Sequence, residues 1–256
     1  MYENIDVKRK IGAKEIALSG VFIAISIILT RVFAIMVPIA GMPALRIGFG
    51  AIPIQISGIL MGPVIGGIVG VIADLLGFIM NPGGGIFFPG FTLTAALNGI
   101  IPGLLFNYFR KMKDDINFNI INGLITILIS LGIVLIMFQS EVLKAIDGRV
   151  YLYDGELHVI TAMAYLLLVA LFIIVPTVIT KRYRSTNEKY SIDKIQFVVT
   201  ISYLLNSMIL NTLWLSILFS KGFLAFLPGR VLAGLFIIPI HSIILYMVSR
   251  TFKYIG

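Results

Sequence analysis

Residues Glu15 to Pro38 read EIALSGVFIAISIILTRVFAIMVP, an apolar run with one charged residue, Arg31, in its interior. A helix that crosses the hydrocarbon core of a bilayer needs about 20 predominantly apolar residues, so this run is long enough to do so. The rest of the chain agrees, since 59% of its 256 residues are hydrophobic and only 12% are charged, and its mean hydropathy is +1.03. The sequence therefore predicts an all-α integral membrane protein.

Similar apolar runs recur along the chain, separated by charged or Pro/Gly-rich breaks. The basic residues Lys8 to Lys10 before the first run are typical of a secretory signal, but the run is longer than the roughly 7 to 15 apolar residues of a signal peptide. We predict eight spans, with boundaries near 15–38, 48–62, 64–80, 91–109, 118–138, 158–180, 195–219 and 229–249.

The distribution of Lys and Arg predicts the orientation of these spans. Fourteen of the twenty Lys and Arg residues fall in segments on the side of the N-terminus and five on the other side, with Arg31 inside a span. Because cytoplasmic segments carry the excess of basic residues, both termini are expected in the cytoplasm. The formal net charge of +8 is thus explained by membrane orientation and lipid contact, and we expect no nucleic-acid partner.

Small residues recur four positions apart in several predicted spans, and each pair places a flat strip on one helix face. In a bilayer such strips let helix backbones approach closely. Packing within this chain and docking against another chain both remain open for each pair. The pairs are Ala13 and Ala17, Gly20 and Ala24, Gly66 and Gly70, and Gly99 and Gly103.

Asp74 lies in the middle of a predicted span, where an unpaired carboxylate costs on the order of 3 kcal/mol. A compensating partner is therefore expected. Arg31, Arg46, a bound proton, or a ligand that offers N–H donors would each supply one. A structural ion pair and a ligand-facing role both remain open at this position.

Two arginines begin predicted spans on the outer side, beside Pro/Gly-rich segments: Arg46 near the first outer loop, and Arg230 directly after Pro228 and Gly229. A guanidinium group in such a position can hold a substrate carboxylate in a two-pronged pair. The alternative is that these side chains extend to lipid headgroups.

Aromatic and hydrogen-bonding side chains are concentrated near the same outer ends. An interfacial aromatic belt accounts for some of them, but a flat heterocycle is also well held between aromatic faces and a few placed polar groups. The combination indicates a heteroaromatic ligand. The aromatic members are Phe49, Phe87, Phe88, Phe91 and Trp214, and the polar members are Thr92, Thr94, Asn98 and Asn211.

Several motifs of catalysis are missing from the sequence. It has no G-x-x-x-x-G-K-[ST] phosphate loop and no H-E-x-x-H zinc motif, and its two histidines, His158 and His241, stand apart. It has no cysteine, which excludes disulfides and thiolate metal sites. We therefore expect a protein that is not an enzyme, with no catalytic residues, no cofactor and no metal site.

Six short segments together resemble one transporter family: LRIGFGAIP (45–53), MGP (61–63), ADLLG (73–77), FPGFT (88–92), NTLWLS (211–216) and LPGR (227–230). With them, residues 13–110 and 195–250 resemble the folate-specific S components of energy-coupling factor importers, the ATP-driven uptake systems for vitamins. The resemblance implies a six-helix S-component-like bundle within a single transmembrane domain, residues 1–256. Residues 111–194 depart from the family pattern and are expected to form an inserted transmembrane hairpin, which brings the total to about eight spans.

The resemblance also implies a function and partners. The chain would capture folate or a related pterin with high affinity from the extracellular side of a prokaryotic plasma membrane. It would then dock on a transmembrane coupling subunit that is driven by two cytoplasmic ATPase subunits, which accounts for the missing nucleotide motif. In such proteins the first helix carries the small residues that meet the coupling subunit. Here these would be Gly20 and Ala24, extended by Ala13 and Ala17.

Roles for the site residues follow from the resemblance as expectations. Asp74 would accept the adjacent N–H donors of the pterin, Arg46 and Arg230 would hold the glutamate carboxylates, and aromatic rings would stack on the ligand. The full set of expected substrate-binding residues is Arg46, Phe49, Asp74, Phe88, Phe91, Thr92, Asn98, Asn211, Trp214 and Arg230.

Three alternatives remain open from the sequence. An S component for thiamine, riboflavin or pantothenate would share the fold with a different pocket. An intramembrane enzyme would use Asp74 with a histidine as acid and base. An autonomous secondary transporter would normally show repeated halves around a site near the membrane midplane.

Overall fold

A computed structural model describes residues 12–39, 42–82, 86–112, 116–139, 143–146, 149–152, 155–156, 159–183 and 191–252. The basic cluster Lys8 to Lys10 and the glycines 83–85 lie outside the described residues. The helices are α1 (Ala13–Arg31), α2 (Ala51–Met61), α3 (Pro63–Met80), α4 (Pro89–Lys111), α5 (Asn119–Gln139), α6 (Val159–Tyr183), α7 (Ile192–Tyr203), a π-helical segment (Leu204–Asn211), α8 (Thr212–Phe219) and α9 (Phe223–Phe252).

The strands are short and lie in two hairpin-like sheets. Strands β1 (Ile35–Ile39) and β2 (Met42–Ile47) pair antiparallel between α1 and α2. Strands β3 (Leu143–Ile146), β4 (Arg149–Leu152) and β5 (Gly155–Glu156) form a second antiparallel sheet between α5 and α6. We call the first pair the β1–β2 hairpin, and the end of the bundle that carries it the hairpin end.

The first span ends earlier than predicted. Helix α1 stops at Arg31, and residues 35–38, which we expected to be helical, belong to β1. Pro38 is compatible with the strand, because proline favours an extended conformation for the residue before it and its missing N–H is tolerated on an edge strand. The pairing register of the hairpin shifts between Val37 and Pro38, opposite Pro43.

Helices α2 and α3 form a tight hairpin at residues 61–63, between the predicted spans 48–62 and 64–80. Gly62 takes a φ of 97°, which is favourable only for glycine, and Pro63 occupies the first turn of α3, where its missing N–H costs nothing. The predicted span 48–62 begins only at Ala51, and its 11 residues extend about 16 Å, half the thickness of the hydrocarbon core.

Six of the described helical stretches are long and apolar enough to cross a membrane: α1, α3, α4, α5, the stretch Ile192–Phe219, and α9 over Phe223–Ser249. Shorter apolar stretches occur in α2 and within α6 at Tyr165–Val175. The predicted total of eight crossings and the cytoplasmic position of both termini stay predictions.

Backbones approach most closely where α2, α3 and α4 meet. A Cβ atom built on Gly58 would lie 2.0 Å from the carbonyl oxygen of Gly99, and one built on Gly99 would lie 2.1 Å from that of Gly66. A Cβ atom on Gly70 would lie 2.1 Å from the carbonyl oxygen of Ala95, and one on Gly103 would lie 2.6 Å from the backbone of Pro63. The small-residue pairs predicted in α3 and α4 therefore pack within the chain.

Helices α5 and α6 pack against each other and against α7 and α9. Asp193 at the start of α7 fixes the beginning of α5, since its Oδ2 accepts the backbone N–H of Phe118 at 3.0 Å and its carbonyl oxygen accepts from Asn122 Nδ2 at 2.8 Å. Inside the pair, the hydroxyls of Ser130 and Tyr165 lie 2.7 Å apart. We refer to α5 and α6 as the added helix pair.

Candidate functional site

A cavity of about 520 Å³ lies inside the bundle toward the hairpin end. Its walls come from α1 to α4, from the β1–β2 hairpin, and from α7 through α9 with the π-helical segment. No described residue of the added helix pair lines it. The cavity size is that of a typical small-molecule site.

Asp74 meets its predicted partner at one wall of this cavity. Its Oδ1 lies 3.6 Å from Arg31 Nη2, and its Oδ2 accepts a 2.8 Å hydrogen bond from the Thr92 hydroxyl. Arg31 also donates from Nη1 to the carbonyl oxygen of Asn81 at 3.0 Å. Of the partners that the sequence left open, Arg31 is thus the one in contact, and the carboxylate is held from two sides.

Arg46 extends from β2 into the cavity and has no hydrogen-bond or ion-pair partner among the described residues. Burial and the positive charge of Arg31 lower the pKa of Arg46, and the negative charge of Asp74 opposes this shift. A partly buried guanidinium without a fixed partner is available to bind an anionic group in the cavity.

Arg230 is more deeply buried, with 4% of its surface exposed, and it lines the cavity while bonded to the protein. Its Nη1 donates to the carbonyl oxygen and the hydroxyl of Ser207, at 3.1 and 3.0 Å, and its Nη2 donates to the carbonyl oxygen of Ala44 at 2.6 Å. Arg230 therefore connects the π-helical segment to the β1–β2 hairpin. Its Nε has no partner among the described residues.

Three rings form an aromatic wall. Phe88 and Phe91 line the cavity with ring centroids 5.8 Å apart, and Trp214 stands behind Phe88 at 5.9 Å. The indole Nε1 of Trp214 donates to the Thr94 hydroxyl at 3.1 Å. Phe49 lies elsewhere: its ring is 40% exposed and contacts His241, with centroids 5.7 Å apart.

Farther from the hairpin end, amide and hydroxyl side chains from four elements face the same cavity. Asn206 Nδ2 donates to Asn98 Oδ1 at 2.9 Å, linking the π-helical segment to α4. Gln55 on α2 and Ser202 on α7 also line the cavity and are 3% and 1% exposed. We call Gln55, Asn98, Ser202 and Asn206 the amide cluster.

The amino-acid sequence matches a known family of membrane transporters. The family model described as "ECF transporter, substrate-specific component" matches residues 14–182. The chain belongs to this family of energy-coupling factor S components. It is thus a multi-pass membrane protein and a transporter component. It is 38% identical, over 124 residues, to the "Folate transporter FolT" of Clostridium novyi (strain NT), a match that covers 48% of this chain and 67% of the relative.

A solved structure shares the fold of this S component. The "Crystal structure of FolT bound with folic acid" superposes with a TM-score of 0.55 over 94% of this chain and 95% of that one, at 23% sequence identity. The predicted all-α S-component fold is confirmed.

The ten residues predicted to bind substrate fall into two groups in this S component. Three do not line the cavity: Phe49 contacts His241, while Thr92 and Trp214 bond to the lining residues Asp74 and Thr94. The other seven line it, and their binding role stays a prediction. They are Arg46, Asp74, Phe88, Phe91, Asn98, Asn211 and Arg230.

Sequence reasoning missed several polar wall residues: Ser26, Thr30, Arg31 as a wall residue, Gln55, Ser202, Tyr203, Asn206, Ser207 and His241. A usable signal was present for two of them. Gln55 interrupts an apolar run and Asn206 is an amide inside a predicted span, so the argument that selected Asp74 applies to both. The others resemble ordinary small polar residues of membrane helices, and only the three-dimensional arrangement shows that they face the cavity.

The small residues of α1 are arranged differently from those of α3 and α4. Ala13, Ala17, Gly20 and Ala24 are all exposed, and a Cβ atom on Gly20 would meet nothing within 4 Å. Another side of α1 packs into the bundle through Phe22, Ser26 and Ile27. We call the four exposed residues the α1 strip.

Proposed function

We propose that this S component captures folate or a related pterin from the extracellular side of a prokaryotic plasma membrane, and that it acts as a binding subunit and not as an enzyme. The observation that carries the proposal is the cavity, which combines an aromatic wall with arginine and amide groups in a chain 38% identical to a folate transporter.

The charges of the cavity suit an anionic ligand. Arg31 and Asp74 compensate each other, whereas Arg46 and Arg230 have no acidic partner among the described residues. Each can interact with a carboxylate of a glutamate tail, Arg46 through its whole guanidinium group and Arg230 through the free Nε. A ligand with two carboxylates would therefore balance the charge of the site, which favours folate over the cationic vitamin thiamine.

The aromatic wall suits a flat heterocycle. Phe88 and Phe91 offer ring faces to the cavity, and Trp214 holds Phe88 from behind. Phe49 and Thr92 would act indirectly, Phe49 through His241 and Thr92 through Asp74. Asn98 and Asn211 supply hydrogen-bonding groups in the same cavity.

The partners of the proposed importer are a transmembrane coupling subunit and two cytoplasmic ATPase subunits. The α1 strip is the proposed docking surface, because its four residues are exposed and the same helix lines the cavity through Ser26, Thr30 and Arg31. Helix α1 would therefore contact both the bound ligand and the coupling subunit.

We propose that the added helix pair, within residues 111–194, supplements a six-helix binding core formed by residues 13–110 and 195–250. The pair contacts α7 and α9 and contributes no described residue to the cavity. It would therefore alter the outline of the protein in the membrane without changing its ligand.

The experiment is a titration of the intrinsic fluorescence of Trp214, the single tryptophan, in detergent-purified protein. Folate is expected to quench the emission saturably at submicromolar concentration, because the indole of Trp214 contacts Phe88, which lines the cavity. Thiamine, riboflavin and pantothenate are the comparison ligands. Isothermal titration of a Trp214→Phe variant with folate checks that quenching reflects binding and not absorption of the exciting light. Binding of another of the vitamins but not folate would contradict the folate assignment.

A further inference from the structure

The cavity has two levels that differ in chemistry. Nearest the hairpin end is a charged level, formed by Arg31, Asp74 and Arg46 and braced by Thr92. The amide cluster forms a second level without a formal charge. Thr92 and Asn98 lie six residues apart on α4, which separates the two levels by about 9 Å along the helix axis.

The second level contains buried polar atoms without partners. Within the described part of the chain, Gln55 Oε1, Ser202 Oγ and Asn206 Oδ1 have no hydrogen bond, although their side chains are nearly completely buried. Buried polar atoms are almost always satisfied in proteins, because an unpaired group loses its hydration without compensation. Three such atoms around one cavity indicate that a ligand supplies the missing hydrogen bonds.

The hydrogen bond between Asn206 and Asn98 determines what each can offer. Asn206 uses an N–H to donate to Asn98 Oδ1, so its own Oδ1 is left as an acceptor. Asn98 has its carbonyl oxygen engaged, which leaves its amide N–H groups to donate. The level therefore offers acceptors and a donor side by side, as the edge of a pterin requires.

Two helix irregularities support this location. Pro102 lies inside α4, and because proline has no N–H, the backbone carbonyl of Asn98 lacks its usual helical donor. Opposite it, Asn206 lies in a π-helical segment, a distortion that occurs frequently at functional sites. Both helices thus deviate from regular geometry at the pair Asn98 and Asn206.

We propose that the amide cluster recognises the N–H edge of the ligand's heterocycle, with Asn206 Oδ1 and Gln55 Oε1 as acceptors and the Asn98 amide as donor. The proposal rests on the function proposed above, and it revises the expectation from the family resemblance that Asp74 accepts the N–H donors of the pterin. Asp74 is engaged by Arg31 and Thr92, and it acts as a positioning residue for Arg31. The pterin lies at the amide cluster, and the glutamate tail lies at the charged level beside Arg46.

The test compares two ligands: folic acid, and pteroic acid, which keeps the pterin but lacks the glutamate. Asn206→Ala and Gln55→Leu are each expected to weaken both ligands about tenfold, the effect of one lost hydrogen bond of about 1.4 kcal/mol, and to leave the ratio of the two affinities unchanged. Arg46→Gln is the matched control at the other level. It is expected to weaken folic acid about tenfold and to leave pteroic acid unchanged.

A second measurement changes the ligand. A pteroic acid analogue that lacks the 2-amino group is expected to bind the wild-type chain at least tenfold more weakly than pteroic acid. Asn206→Ala or Gln55→Leu is expected to reduce the affinity for this analogue less than the affinity for pteroic acid. The proposal is overturned if the wild type binds this analogue as tightly as pteroic acid. It is also overturned if Asp74→Asn weakens pteroic acid while both amide variants do not. A wild type that binds neither folic nor pteroic acid would instead refute the proposed function.

Discussion

Small residues four positions apart occur both in α1 and in the pair α3 and α4, and the structure uses them in opposite ways. In α3 and α4 the glycines touch neighbouring backbones, and Gly99 leaves no room for a Cβ atom beside Gly66. In α1 the strip is exposed, and Gly20 has no neighbour within 4 Å of an ideal Cβ. The same sequence pattern closes the bundle in one region and leaves a bare surface in the other.

This difference shows that small residues four positions apart predict a flat helix face but do not predict what packs against it. Helices in lipid associate through close packing and not through the hydrophobic effect, so a flat face has value wherever a second flat face meets it. For α3 and α4 the complement is in the chain, since Gly58 of α2 completes the contact. For α1 we propose that the complement is in the coupling subunit.

The largest expected effect is the loss of folding on substitution inside the bundle. In Gly99→Ala the new Cβ would lie 2.1 Å from the carbonyl oxygen of Gly66, and a backbone atom cannot move aside as a flexible side chain can. Overpacking of this kind costs about 1 to 3 kcal/mol or more. We expect little folded protein, measured by the monodisperse yield in size-exclusion chromatography. A normal yield and melting temperature would show that α3 and α4 can separate.

The next effect separates binding from transport. Gly20→Leu places a large side chain on the α1 strip without touching the bundle. We expect folate binding in detergent to stay within about twofold of wild type, and folate uptake into cells to fall at least tenfold because docking is blocked. The measurements are Trp214 fluorescence and uptake of radiolabelled folate in cells that contain the coupling module. Unchanged uptake would refute the role of the α1 strip.

Much of the fold was predictable because its signals are local. The apolar lengths of α3 and α4 and the turn at residues 61–63 follow from the residues at those positions, and the structure reproduces these elements. The first span was predicted too long, because hydropathy does not distinguish an apolar helix from an apolar strand. Pro38 favours an extended conformation at Val37, but no local signal in the sequence marks the end of α1 at Arg31.

The site was less predictable because it depends on which polar residues face one another. Asp74 and Arg46 were recognisable by their charge in an apolar context, and both line the cavity. Ser202 was not, since a serine hydroxyl in a membrane helix commonly bonds to its own backbone. Arg230 was recognised, but its bonds to Ser207 and Ala44 join segments too far apart in sequence for any local pattern to reveal.

A moderate effect is expected where a glycine faces a side chain and not a backbone. In Gly90→Ala the new Cβ would lie 2.6 Å from both Phe88 and Trp214, and these rings can shift. We expect a folded protein with altered Trp214 emission and about tenfold weaker folate binding, equivalent to about 1.4 kcal/mol. Fluorescence spectra measure the emission of Trp214, and a folate titration measures the affinity. An unchanged spectrum would show that the aromatic wall is looser than its contacts indicate.

The smallest effect is expected at Gly132 on α5. This position is the control for Gly20 on α1, because it tests whether added bulk alone impairs transport. Like Gly20, it has nothing within 4 Å of an ideal Cβ, but it lies on the added helix pair. Gly132→Leu therefore adds the same bulk to an open helix face that has no proposed partner. We expect melting temperature, folate affinity and uptake to match wild type, because lipid accommodates the side chain. If uptake falls as it does in Gly20→Leu, open glycines would be sensitive wherever they lie, and the contrast between the two variants could no longer assign docking to α1.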